Sequence, residues 1–164
     1  MSAESLYQQI ILDHYRHPHR KGLREPYDAE VHHTNPTCGD EVTLRVRLSG
    51  DWVADVSYES EGCSISQASA SVLTDLTVGR TIAEDMDTAE EFLALLQSKG
   101  AREPDELVLE DAVAFAGVAR YPARVKCALL PWMAWKDATA RAVVARGDGL
   151  PRTLPANSLE EISP

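Results

Sequence analysis

The sequence predicts an α+β fold, a small antiparallel β-sheet of about three strands covered by helices, and three observations predict it. Val42 to Leu48 reads Val-Thr-Leu-Arg-Val-Arg-Leu, the apolar-polar alternation of a strand with one solvated face. Ser49-Gly50-Asp51 is a turn, after which Val53 to Ser60 returns as a second strand whose Ala54, Val56 and Tyr58 share a face. On both sides of this hairpin, apolar residues recur at helical spacing between proline and glycine punctuation.

In chain order, Leu6, Tyr7, Ile10, Ile11 and His14 mark an amphipathic helix over residues 4–17, which Pro18 ends. Tyr27 to Thr34 is the third strand. After Gly62-Cys63, small residues interleave with Ile65, Ala68, Val72, Leu73 and Leu76, which spells a closely packed helix ending at Gly79. Thr81 to Ser98 is a further helical region, with Thr88 and Glu91 in capping-box spacing ahead of Phe92, Leu95 and Leu96. Pro104 separates it from a short helix around Asp111 to Val118. Tyr121-Pro122 opens a long last helix that Pro131 is expected to kink, or to split before Trp132. Residues 1–146 thus form one domain, and 147–164, with three prolines and two glycines, are expected to be a flexible tail.

The chain has 164 residues, 44% of them hydrophobic, enough for a core that needs no disulfide staples. No apolar run could span a bilayer and the amino terminus lacks a secretory pattern, so the expected address is the cytosol, where thiols stay reduced. Sixteen basic against twenty-six acidic side chains give a net charge of -10, which argues against nucleic acid or an anionic membrane as partner. Arg16, Arg20, Lys21 and Arg24 run against that trend: they form either a docking patch for an acidic partner or a basic helix end.

The chemistry concentrates in three cysteines, each in its own short motif: Asn35-Pro-Thr-Cys-Gly-Asp40, Glu61-Gly-Cys-Ser-Ile-Ser66 and Arg124-Val-Lys-Cys127. An odd number of thiols cannot be fully paired within the chain, and Asp40 offers an oxygen that completes a tetrahedral Cys3Asp set for Zn(II). Cys63 falls at a helix start, where the dipole and free N–H groups favour a thiolate. The separations do not fit a zinc finger, whose ligands come in local pairs. His32 and His33 compete as ligands, although a strand points them to opposite faces. Asp40 can alternatively cap a turn, and Arg124 and Lys126 can be ordinary helix surface or cations that stabilise a site with surplus negative charge. A cysteine hydrolase is disfavoured, because all five histidines precede Thr34 and none follows Cys127.

These motifs, together with Ile11-Leu-Asp-His-Tyr-Arg-His-Pro18, Lys21-Gly22 and Ala68-Ser-Ala70, resemble the NifU/IscU-type iron-sulfur cluster assembly proteins, and within them the SufU branch. Lys126 stands where Isc-type scaffolds have a histidine, and Thr81 to Glu103 is a helical segment those scaffolds lack. The resemblance implies a SufE/NifU-like α+β fold and a metal site formed by Cys38, Asp40, Cys63 and Cys127. It further implies a sulfurtransferase that serves as co-substrate and activator of a PLP-dependent cysteine desulfurase of the SufS kind. The expected reaction has Zn(II) holding Cys38 until a ligand from the desulfurase replaces it. The freed thiolate then takes persulfide sulfur, with Arg124 steering the exchange and downstream iron-sulfur scaffold proteins as further partners. The competing expectation is a scaffold that binds iron or builds a [2Fe-2S] cluster on the same residues, since thiolates serve either metal. A purely structural zinc module, with Cys38 unreactive, is a third.

Overall fold

A computed structural model describes residues 2–146; the tail expected at 147–164 lies outside the described residues. Among them are three strands, five α-helices and one 3-10 segment, in the order α1 (Ala3–Arg16), β1 (Ala29–Asn35), β2 (Asp40–Ser49), β3 (Trp52–Glu61), α2 (Ser64–Thr77), α3 (Ile82–Gln97), α4 (Glu106–Leu109), the 3-10 segment Glu110–Arg120, and α5 (Pro122–Arg146). The strands form one antiparallel sheet in the order β1-β2-β3. The α+β class expected from the sequence is therefore the observed one.

Alternation sets the sheet: Val42, Leu44 and Val46 of β2 are buried while the residues between them are half-exposed. β3 departs from plain alternation through a bulge. Arg47 faces Asp55 but Leu48 faces Val53, so Ala54 is the extra residue. Val53 thereby joins Val56 and Tyr58 in the core, and Ala54 stays half-exposed. Helix α5 lies across β1 and β2, and α2 lies between α1 and α5. Ser69, Ala70, Ser71, Val72 and Leu73 of α2 are all buried, which five consecutive helical residues achieve only when neighbours pack on every side. Small side chains let them approach, and the polar ones are tied down: Trp132 Nε1 donates to Ser69 Oγ at 3.1 Å, and Ser69 in turn donates to the Ala128 carbonyl at 2.6 Å. Phe92 stacks on Trp132 with centroids 4.5 Å apart and meets Phe115 edge-on at 5.7 Å, joining α3, α5 and the 3-10 segment.

Several local expectations shift. The capping box belongs to Thr81 and Glu84, whose side chains bond each other's backbone N–H. Thr88 instead sits inside α3, buried, its hydroxyl donating to the Glu84 carbonyl. The short helix before Tyr121 is a 3-10 helix. α5 runs unbroken through Pro131, held by buried residues on both sides of it, Leu130, Trp132 and Trp135. Pro131 has no N–H, so the Cys127 carbonyl lacks the donor that the helical ladder would supply. The basic run near residue 20 is partly neutralised within the fold: Arg24 meets Asp55 at 3.0 Å and Arg20 approaches it at 3.8 Å. On α3, Asp85 is fully buried with no hydrogen-bond partner to either carboxylate oxygen among the described residues. Burial pushes its pKa up to about 8, against a smaller opposing pull from Arg80.

Candidate metal centre

Three separate pieces of chain deliver the four candidate ligands to one place. The first is the β1–β2 hairpin. Asn35 and Asp40 pair across the ladder, and residues 36–39 form its tip, closed by the N–H groups of Cys38 and Gly39 donating to the Asn35 carbonyl at 3.2 and 2.9 Å. Gly39 has φ +72, a left-handed conformation glycine adopts without strain. Cys38 is thus carried exposed on the tip, whereas Asp40, two residues on and inside the ladder, is 1% exposed.

The second piece is the junction of β3 and α2. Cys63 is the N-cap of α2 and its side chain makes no capping hydrogen bond. Its backbone N–H donates to Asp40 Oδ1 at 2.9 Å, and Asp40 Oδ2 lies 3.9 Å from Cys63 Sγ. One carboxylate oxygen is therefore held by the helix N-terminus and the other is left on the thiol side. Gly62 permits this approach: a Cβ there would stand 2.1 Å from Asp40 Oδ1. The third piece is the start of α5, where Cys127 is buried and its Sγ faces the Ala123 carbonyl at 3.5 Å.

One ligand atom each from Cys38, Asp40 and Cys127 lie within 4.8 Å of one another. Cys63 stands just outside this tight group but beside Asp40 and in electrostatic contact with Cys127. The donors fit a thiophilic divalent ion. Burial, and then the crowding by Asp40, Cys38 and Cys63, push the Cys127 thiol far above its ordinary range, a repulsion among would-be anions that a cation at their centre relieves. Three sulfurs and one oxygen are the set that suits Zn(II) or iron over Mg(II) or Ca(II).

The expected competitors are elsewhere. His32 bonds Thr43 Oγ1 at 2.8 Å, and His33 pairs with Asp137 at 2.8 Å on the other face. Arg124 is exposed, its guanidinium 5.4 Å from the Tyr121 ring centroid, and it makes no ion pair with Asp40. Lys126 is likewise exposed. Two participants escape a reading by residue type. Asn35 Nδ2 donates to Cys127 Sγ at 3.9 Å, and the Ala123 carbonyl lies 3.9 Å from Cys38 Sγ as well as against Cys127. The Asn35-Pro36 pair at the head of the first cysteine motif was the available signal for one; a backbone carbonyl leaves none.

Residues 6–128 match the family model of the NifU-like N terminal domain. The chain is 41% identical over 140 residues to the zinc-dependent sulfurtransferase SufU of Bacillus subtilis, covering 85% of this chain and 93% of that one. It is 37% identical over 141 residues to the iron-sulfur cluster assembly scaffold protein IscU of Streptococcus pyogenes, at 86% and 87% coverage. Among solved structures, the putative iron-sulfur cluster assembly scaffold protein for the SUF system of Fervidobacterium islandicum superimposes with a TM-score of 0.71 at 34% identity, over 84% of this chain and 98% of that one. The amino-terminal part of a NifU-like protein from Brucella abortus does so with a TM-score of 0.75 at 25% identity, over 85% and 95%.

Proposed function

The chain belongs to the family of NifU-like N-terminal domains, and on that premise we propose that it is a zinc-dependent sulfur carrier for iron-sulfur cluster biogenesis in the cytosol. Residues 1–146 form its working domain, and Cys38, Asp40, Cys63 and Cys127 hold the metal. The observation that carries this reading is an asymmetry of burial: Cys38 is exposed on a hairpin tip while Asp40 and Cys127 beside it are buried. One donor can leave the set without opening the core.

When bound, Zn(II) supplies charge neutralisation, keeping the thiols as thiolates at neutral pH. Every other task falls to side chains. Cys38 is the nucleophile: its thiolate attacks the outer sulfur of the persulfide on a SufS-type cysteine desulfurase. The new S–S bond forms as the old one breaks, and the enzyme's own cysteine leaves as a thiolate. No net oxidation occurs, and PLP belongs to the desulfurase alone. Asp40, fixed through Oδ1 by the Cys63 N–H, together with Cys63 and Cys127, remains in place. Arg124, exposed and lying against the Tyr121 ring, turns toward the thiolates as they rearrange. The persulfide then passes to downstream scaffold proteins.

The scaffold reading, a [2Fe-2S] cluster on the same residues, is favoured by the name of the Streptococcus pyogenes relative and uses the same donors. Metal analysis and visible absorbance of freshly isolated protein separate the two: about one zinc per chain and no visible band is expected, whereas iron with a cluster spectrum sinks the carrier. Incubation with desulfurase and cysteine should add sulfur to Cys38 by peptide mass spectrometry, and Cys38→Ser should abolish it. Sulfur found only on Cys63 or Cys127 would overturn the assignment.

A further inference from the structure

The histidines at the end of α1 and just beyond it take no part in the thiolate site, yet they build a second constellation with α2. His14, at the end of α1, is 2% exposed. Its Nε2 lies 2.9 Å from Asp111 Oδ2 and its Nδ1 2.7 Å from Ser71 Oγ. An ionised carboxylate can only accept, so Nε2 carries a proton, and in the neutral ring Nδ1 presents a lone pair that accepts the Ser71 hydroxyl, a tautomer assigned from these partners. Ser71 also accepts the backbone N–H of His19 at 2.8 Å, which brings the His19 ring to 4.6 Å from that of His14. His19 Nδ1 then meets Asp75 Oδ2 at 2.7 Å, one helical turn beyond Ser71 on α2.

One nitrogen from each of His14 and His19 and one oxygen of Asp75 lie within 4.8 Å of one another. We propose that these three residues form a second divalent metal site, selective for a first-row transition ion such as Fe(II), Co(II) or Zn(II). Four features of the arrangement fit that class. Two imidazoles and one carboxylate are borderline donors that suit these ions better than Mg(II) or Ca(II). The buried imidazole is already oriented by a carboxylate on its far nitrogen, the outer-shell device that fixes metal-ligating histidines. Both other ligands have side chains close to 40% exposed or more, His19 at 45% and Asp75 at 39%, which leaves coordination positions for water or an exchanging ligand. The site is also separate from the thiolates. Asp75 follows Cys63 by twelve residues along α2, about 18 Å at the rise of an α-helix.

Binding needs little rearrangement. Nδ1 of His14 exchanges its Ser71 hydrogen bond for the ion, and the ion takes the place of the hydrogen bond between His19 and Asp75. The His19 proton moves from Nδ1 to Nε2. No electron is transferred and no covalent bond is broken.

The test is a titration of Co(II) into the full chain carrying one equivalent of Zn(II), followed by absorption and by NMR of the histidine rings. The expected result is one equivalent of cobalt without a sulfur-to-cobalt charge-transfer band, and selective broadening of the His14 and His19 resonances. His19→Ala and Asp75→Asn, both at exposed positions, should each abolish that equivalent while leaving zinc content and helical signal intact. Asp111→Asn, which alters only the group behind His14, should weaken it by about 10- to 100-fold. The proposal is overturned if no cobalt binds, if all bound cobalt shows the thiolate band, or if sulfur-free cobalt persists undiminished in His19→Ala and Asp75→Asn.

Discussion

Gly62 is a residue whose smallness decides the thiolate site. With φ +137 and Asp40 Oδ1 2.1 Å from where a Cβ would stand, Gly62→Ala must push Asp40 off the Cys63 N–H or distort the β3–α2 junction. The variant should lose metal affinity and about 1–3 kcal/mol of stability, read as zinc content after dialysis and as a denaturation midpoint; unchanged zinc would mean that the Asp40 contact is dispensable. Arg124 offers the opposite case. It is exposed and, among the described residues, its guanidinium lies against the Tyr121 ring, so Arg124→Ala should leave zinc and helical signal unchanged and sharply reduce the stimulation of desulfurase turnover. Loss of metal in that variant would make it a structural cation instead, and full activity would remove it from the transfer step.

At the scale of elements, α3 carries a pH dependence. Asp85 in the unfolded chain ionises near the ordinary 3.8, whereas in the fold it stays protonated up to about 8. Between those values the native state holds the extra proton, so rising pH favours unfolding, and the penalty is complete above the folded pKa. Asp85→Asn should remove this slope. Its advantage in melting temperature should grow from about pH 5 to about pH 8 and correspond to a few kcal/mol at the alkaline end; parallel curves would show that Asp85 finds a compensating partner. The same helix shows what local sequence does not decide. Thr81-Glu84 and Thr88-Glu91 both have capping-box spacing, and the choice between them is tertiary. The Ile82 N–H donates to Asp51 O and Trp52 bridges Thr81, fixing the chain's entry at residue 81. Pro131 is a similar case, because the packing of Trp132 and Trp135 outweighs the propensity of proline to break a helix. By contrast, the alternation of β2 and the motifs around Cys38, Cys63 and Cys127 were legible outright. Strand faces and thiol-bearing turns are written in residue type, whereas the bulge at Ala54 and the carbonyl of Ala123 are not.

For the whole molecule, the proposed ligands come from segments as far apart as the β1–β2 hairpin and α5, so a metal bound there would tie the sheet to the last helix. Its removal by chelation should lower the melting temperature by about 10 °C or more, since each kcal/mol lost corresponds to roughly 2–4 °C in a chain of this size. The stripped protein should still melt cooperatively, because the core around Phe92, Phe115, Trp132 and Trp135 does not include the ligands. Flat far-ultraviolet signal after chelation would show that the metal is required for folding.

The cross-strand pair of Asn35 and Asp40 closes the ladder directly behind the four-residue tip. It divides the hairpin, with Asp40 on the ladder side and Cys38 on the tip beyond it. A swing of Cys38 about that pair would spare strand register and core contacts and would cost only the tip's hydrogen bonds to the Asn35 carbonyl, but the lever is short. Two residues of fully extended chain reach only about 7 Å. On the proposed role, a carrier built this way could not send its sulfur across a gap on a long arm. Its partners must admit the hairpin tip itself, and each transfer becomes a matter of docking shape before it becomes one of thiol chemistry.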